Sequence, residues 1–148
     1  MHSLTKTTTI NRPIQEVFDF FSKAENLNKI TPPDLQFKIL SPLPILIKKG
    51  ALIDYKIKIN GIPFIWRTEI SEWELNKRFI DRQVKGPYKI WIHEHSFEER
   101  NGITYMTDYV QFLSPGWILE PIINKLFIEK KVKGIFEYRE KILADLFK

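Results

Sequence analysis

Over residues 3–10, Leu4, Lys6, Thr8 and Ile10 alternate with Thr5, Thr7 and Thr9. That period of two, rich in β-branched residues, predicts a first strand. At Asn11-Arg12-Pro13 the pattern changes. Proline is favoured where a helix begins, because the N–H it lacks has no partner there anyway. Ile14, Val17, Phe18 and Phe21 then fall at helical spacing and predict one apolar stripe. Ser22 breaks that helix, and 24–30 predicts a second short one with Leu27 and Ile30 on its apolar side. Thr31-Pro32-Pro33 ends it, since the residue before a proline is pushed out of the α region.

From there to Leu113 the period returns to two. Strands are predicted over 35–40, 51–59, 62–73, 78–85, 88–99 and 103–113. The loop 41–50 carries Pro42, Leu43, Pro44, Ile45, Leu46 and Ile47, an apolar run whose expected use is packing against the last helix. Asn60-Gly61 and Asn101-Gly102 are hairpin signals, because a type I′ turn needs positive φ at both central positions. Glu74 to Lys77 and Gly86-Pro87 turn the chain, and Ser114-Pro115-Gly116 closes the sheet. Residues 117–147 then read as one helix, its stripe built from Leu119, Ile122, Ile123, Leu126 and Phe127, followed by Ile135, Tyr138, Ile142 and Leu146. At 1.5 Å per residue it would span ~46 Å. Gly134 inside it predicts a bend, a close approach of another element, or simply a tolerated glycine. The expected architecture is one α+β domain over 1–148: a curved antiparallel sheet of about seven strands, two short helices after strand 1, and a long C-terminal helix on the concave face.

Composition narrows the functional classes. The chain has 148 residues, 43% hydrophobic and 14% aromatic, which suits one domain with a sizeable core. It has no cysteine, so disulfide and thiolate chemistry are excluded. The net charge of +5 is dispersed over scattered lysines and lacks a basic run interleaved with aromatics, so no nucleic-acid partner is expected. No apolar stretch approaches ~20 residues, so no stable membrane insertion is expected. With no apolar leader in the first ten residues either, the expected location is the cytoplasm. No Gly-x-Gly phosphate loop and no Gly-x-Ser-x-Gly elbow occur, so no nucleotide cofactor and no nucleophile are assigned.

Strand alternation gathers the polar candidates on one face. Trp91, His93, His95 and Phe97 share a side of their strand; Phe79, Asp81 and Gln83 do so on theirs, as do Met106 and Asp108. This face bears the larger apolar groups, whereas the other carries Arg82, Glu94 and Glu98, so it is expected to be concave. Arg67 and Glu69 fall on the opposite side from Trp66 and read as surface ion-pair residues.

The element order resembles the helix-grip fold shared by START domains, the birch-pollen allergen group and the polyketide cyclase/dehydrase group, collectively SRPBCC. More narrowly, Trp66-Arg67-Thr68, Phe79-x-Asp81-x-Gln83, Gly86-Pro87-Tyr88, Trp91-x-His93-x-His95-x-Phe97 and Met106-x-Asp108 resemble a bacterial ligand-binding SRPBCC subgroup, sometimes fused to sugar-nucleotide-epimerase-like domains. The resemblance implies a cavity between sheet and helix that holds an apolar or amphipathic small molecule. Trp66, Phe79, Trp91, Phe97 and Met106 would then surround its apolar body, and Asp81, Gln83, His93, His95 and Asp108 would orient its polar end. Three other readings stay open. The imidazoles and carboxylates can simply satisfy each other and fix strand register. They can act as general acid and base in a cyclase- or dehydratase-type enzyme. The aromatics can fill the core and leave an interaction module. His93 and His95 with an aspartate could share a metal, but His-x-His is a low-specificity motif and His2 is expected at a frayed terminus; no metal site is assigned.

Overall fold

His2–Ile10 forms β1, with Thr8 and Ile10 buried where the alternation turns them inward. The structure, a computed structural model, describes residues 1–45, 47–59, 61–113 and 121–148, and side chains of the last segment from residue 129 onward. Helix α1 (Ile14–Phe21) buries Val17, Phe18 and Phe21 as their spacing predicts. Its first amide, Ile14 N, donates to the Glu99 carboxylate at 2.8 Å, an anion placed where the helix dipole favours it. Ala24–Ile30 is a 3₁₀ helix, and a second 3₁₀ turn, Pro33–Leu35, occupies the start of the predicted strand 35–40. Only Lys38–Ile39 pairs as β2, because two prolines and a left-handed Gln36 (φ 46°) break the extended run.

β3 (Leu52–Ile59), β4 (Ile62–Glu74), β5 (Arg78–Lys85), β6 (Ile90–Arg100) and β7 (Ile103–Leu113) follow as antiparallel neighbours. With β1 joining β7, the sheet order is β1-β7-β6-β5-β4-β3-β2. Asn101 and Gly102 both take positive φ, 52° and 77°, as the hairpin signal requires. Asn60 lies outside the described residues; Gly61 beside it has φ 77°. Register shifts between β4 and β5, at Arg67/Thr68 and Ile70/Glu72, bend the sheet as bulges do. The outer face carries exposed pairs, Arg67 with Asp54 at 2.7 Å and Arg82 with Glu69 at 2.8 Å. Each contributes at most about 1 kcal/mol.

Helix α2 (Pro121–Leu146) closes the inner face. The predicted start at Trp117 and the side chains of Leu119, Ile122, Ile123, Leu126 and Phe127 lie outside the described residues. Further on, the buried stripe is Val132, Phe136, Arg139 and Leu143 rather than the predicted Ile135, Tyr138, Ile142 and Leu146. The apolar arc is wider than one stripe, and Ile135 and Ile142 pack at its margin while Leu146 is exposed. A Cβ added at Gly134 would meet nothing within 4 Å, so no element approaches closely there. β1 is tied to α2 by Lys6 with Glu140 at 2.7 Å and by His2 with Glu129 at 3.4 Å. His2 is therefore part of a paired strand, not the frayed end expected of it.

The core divides in two. One cluster centres on Phe18, whose ring meets Trp73, Phe79 and Phe97 edge-on at 5.0, 6.0 and 5.1 Å. Each such buried Phe contributes about 1.5–3 kcal/mol. It takes in Ile47 from the apolar loop, which packs into the sheet's core cluster. The other joins Val110 and Phe112 of β7 to Val132 and Phe136 of α2. Two buried histidines bridge the clusters: His95 stacks on Phe79 of the first, and His93 meets Phe136 of the second edge-on.

Candidate functional site

The centre of the inner face is a charged cluster built by cross-strand register. His93 stands opposite Asp81 on β5, and His95 opposite Asp108 on β7. Each imidazole bonds the other carboxylate, on the diagonal: His93 Nε2 lies 2.7 Å from Asp108 Oδ1, and His95 Nε2 lies 2.6 Å from Asp81 Oδ2. The two rings stack at 3.7 Å, and Phe79 stacks on His95 at 4.1 Å. Ionised carboxylates only accept, so both Nε2 atoms carry the proton and donate it.

His93, His95 and Asp108 are all buried. Burial lowers the proton affinity of His93, and the neighbouring His95 charge adds to that. Burial acts the same way on His95, but its hydrogen bonds and charge interactions with Asp108 and Asp81 outweigh it, and its pKa is raised. Burial opposes ionisation of Asp108, yet the two imidazoles hold its carboxyl well below the usual range. Asp81 is lowered against the same burial penalty by its electrostatic interaction with the His93 imidazole and by the His95 hydrogen bond. At the ordinary imidazole value of 6.5 these directions leave two carboxylates, a mostly neutral His93 and a mostly protonated His95. Arg139 of α2, its Nη1 3.8 Å from Asp108 Oδ1, brings the cluster to charge balance.

One ligand atom each from Asp81, His93 and His95 lies within 4.8 Å of the others, a spacing that a metal ion could use. As folded, His95 Nε2 bonds Asp81 within the trio, His93 Nε2 bonds Asp108 outside it, and His95 Nδ1 has no hydrogen-bond partner.

Two hollows adjoin the cluster. The inner one, about 120 Å³, is bordered by Phe21, Ile47, Ile53, Thr68, Ile70, Phe79, Asp81 and His95. The outer one, about 110 Å³, is bordered by Leu35, Phe37, Ile57, Ile59, Tyr88 and Phe136. Leu27, Tyr55, Trp66, Trp91, His93 and Arg139 border both. The shared wall is aromatic: Tyr55 stacks on Trp66 at 5.7 Å, and Trp91 meets Trp66 edge-on at 5.4 Å. Burial drives the Tyr55 phenol well above its ordinary pKa and pushes Tyr88 up to about 12, so both stay neutral. An open groove of about 510 Å³ between Pro32–Leu35 and α2 shares Leu35, Lys131 and Ile135 with the outer hollow.

Of the ten residues singled out from sequence, Trp66, Phe79, Asp81, Trp91, His93 and His95 border the hollows. Asp108 stands behind the imidazoles, and Phe97 and Met106 are core. Gln83 serves a turn. Its Nε2 donates to the Tyr88 carbonyl at 2.5 Å, and its Oε1 accepts from Tyr88 N at 3.1 Å. A side chain at Gly86 would run into the Gln83 amide. Sequence reasoning missed Tyr55, Phe136 and above all Arg139. The signal for Arg139 was its place three residues after Phe136 and four before Leu143, inside an apolar stripe.

No family model and no curated sequence matches this chain. Solved structures do. The chain is similar to the Zhui aromatase/cyclase from Streptomyces sp. R1128, with TM-score 0.78 and 14% identity over 97% of this chain and 92% of that one. It is similar to a START superfamily protein from Mycobacterium smegmatis, with TM-score 0.71 and 14% identity over 99% of each. It also matches 28% of a nucleoside-diphosphate sugar epimerase from Corynebacterium glutamicum, with TM-score 0.66 and 22% identity over 96% of this chain. At these identities the likeness establishes the fold: the helix-grip α+β fold seen in START-like structures. Among the described residues no helix is long and apolar enough to cross a membrane.

Proposed function

We propose that this chain binds an apolar or amphipathic small molecule in the two adjoining hollows between the sheet and α2. The observation that carries this reading is unfilled space bordered at once by the Tyr55–Trp66–Trp91 wall and by the buried His93 and Arg139. Each hollow is comparable to the ~150 Å³ apolar void that holds benzene in an engineered protein, so together they suit a body of two or three rings. The groove over Lys131 and Ile135 supplies the route from solvent.

The test is titration with the fluorescent neutral probe N-phenyl-1-naphthylamine, repeated on Ile53→Phe and Ile57→Phe. These residues border the inner and the outer hollow respectively. Each substitution adds volume to the space and costs stability by about 1–3 kcal/mol. Probe affinity is expected to fall at least about tenfold in one or both, with cooperative unfolding retained. Unchanged affinity in both variants, or no binding by the wild type, would sink the reading.

A second reading is favoured by one observation. The stacked imidazoles differ in proton affinity, His93 lowered and His95 raised, which is how an acid and a base are poised side by side. A cyclase- or dehydratase-type reaction on a carbonyl compound would use that pair, and the first structural neighbour named above is an aromatase/cyclase. Mass spectrometry of compounds recovered after incubation with aromatic polyketide extracts separates the readings. A carrier returns its ligand unaltered; an enzyme returns a product lighter by water, and His93→Gln abolishes that product.

A further inference from the structure

The buried atoms left without hydrogen bonds point to the ligand's chemistry. Among the described residues, Trp66 Nε1, His95 Nδ1, Arg139 Nε and Arg139 Nη1 are buried and lack a hydrogen-bond partner. Arg139 is 9% exposed and Trp66 is 5% exposed, and both border both hollows. A buried polar group without a partner is costly, and a buried guanidinium more so, because it cannot shed its charge. The nearest carboxylate oxygen, Asp108 Oδ1, is 3.8 Å from Nη1 and already accepts from His93. Arg139 also lies over the Phe136 ring, 5.0 Å from its centre, which fixes the guanidinium plane without satisfying its N–H groups.

The three that border both hollows are all donors, while His95 Nδ1 faces Asp108 Oδ1 at 3.3 Å. A ketone or ether oxygen offers two lone pairs, whereas a carboxylate offers about four on two oxygens and donates nothing. Resting on the reading that the hollows hold a small molecule, we infer that this molecule carries a carboxylate, or an anion of like shape, received by Arg139 and the Trp66 indole N–H. Asp81 sets its direction. That carboxylate borders only the inner hollow and repels an anion there, so the head sits at the junction beside Arg139. The apolar body extends outward among Phe37, Ile57 and Ile59. The ligand class is therefore an aromatic or other apolar acid.

The experiment compares 2-naphthoate with 2-naphthamide, which matches it in size but lacks the charge and offers one acceptor oxygen. Calorimetric titration at pH 7 is expected to give naphthoate at least about tenfold the affinity of naphthamide, the difference that charge-assisted hydrogen bonds make. Arg139→Met keeps the apolar stem and removes the donors; naphthoate affinity should fall until its preference over naphthamide disappears. Trp66→Phe keeps a ring in the wall and removes one N–H. It should cut the preference about fivefold, and it serves should Arg139→Met unfold. Equal affinities in the wild type, or a preference that survives both substitutions, overturn the inference. The neutral naphthylamine probe distinguishes the two levels: if it binds while naphthoate shows no preference, only the acid assignment fails, and if it does not bind, the reading beneath fails with it.

Discussion

A single carboxylate decides the polar interior. Asp108 is 2% exposed and faces His93, His95 and Arg139. Changing it to Asn keeps the shape and removes the charge that two cations and a neutral imidazole are arranged around. Breaking a buried charge pair in this way costs about 3–5 kcal/mol. Asp108→Asn should thus lower unfolding free energy, read from urea midpoints, by that amount. Asp54→Asn, which breaks the exposed pair with Arg67, should change it by less than about 1 kcal/mol. Similar values for the two would show that the cluster is not the buried network described. The sequence made Asp81, His93, His95 and Asp108 legible together, because strand alternation and register bring them onto one face. It hid Arg139, since an arginine on an amphipathic helix reads as solvated until the buried stripe is known to pass through it. Gln83 shared the correct face but lies at the strand's end, where a turn claims its amide.

At the scale of elements, legibility followed the strength of the local signal. β3 to β7 were clear because alternation over eight or more residues admits one reading, and Asn101-Gly102 fixed a hairpin. The segment 35–40 misled. Its apolar residues alternate, yet Leu35 is buried by a 3₁₀ turn and only two residues extend the sheet. Helix α2 was legible as a helix but not in its rotation. Ile135, Phe136, Ile142 and Leu143 cover adjoining faces, so the stripe can be drawn one residue to either side. Packing against Val110 and Phe112 selects Val132 and Phe136, the first core cluster takes Leu143, and Arg139 between them meets Asp108. That rotation also shapes the candidate site. It carries Arg139 over the histidines, and it leaves Lys131 and Ile135 between the open groove and the outer hollow.

For the whole molecule the cluster links stability to pH, with a sign that follows from the opposite shifts of the two imidazoles. In the unfolded chain both titrate near 6.5. Below that value the unfolded chain protonates at both sites while the folded chain keeps His93 neutral, so acid favours unfolding. Above it the unfolded chain is neutral at both sites while folded His95 still holds its proton, so alkali favours unfolding until the pH passes the raised His95 value. Each imidazole supplies a slope of up to about 1.4 kcal/mol per pH unit on its own side. The two slopes meet in a maximum near pH 6.5. As the pH falls through the ordinary aspartate value of 3.8, Asp81 and Asp108 steepen the acid limb, because both carboxyls are lowered in the fold and the stability they contribute above that value is lost below it. Urea midpoints at pH 5, 6.5 and 8 are expected to peak at the middle value. His93→Gln should flatten the limb between pH 5 and 6.5, and His95→Gln the limb between 6.5 and 8. Midpoints that rise or fall steadily through all three pH values would mean that the imidazoles do not carry one positive charge between them, and both the charge balance with Arg139 and the acid–base reading would have to be redrawn.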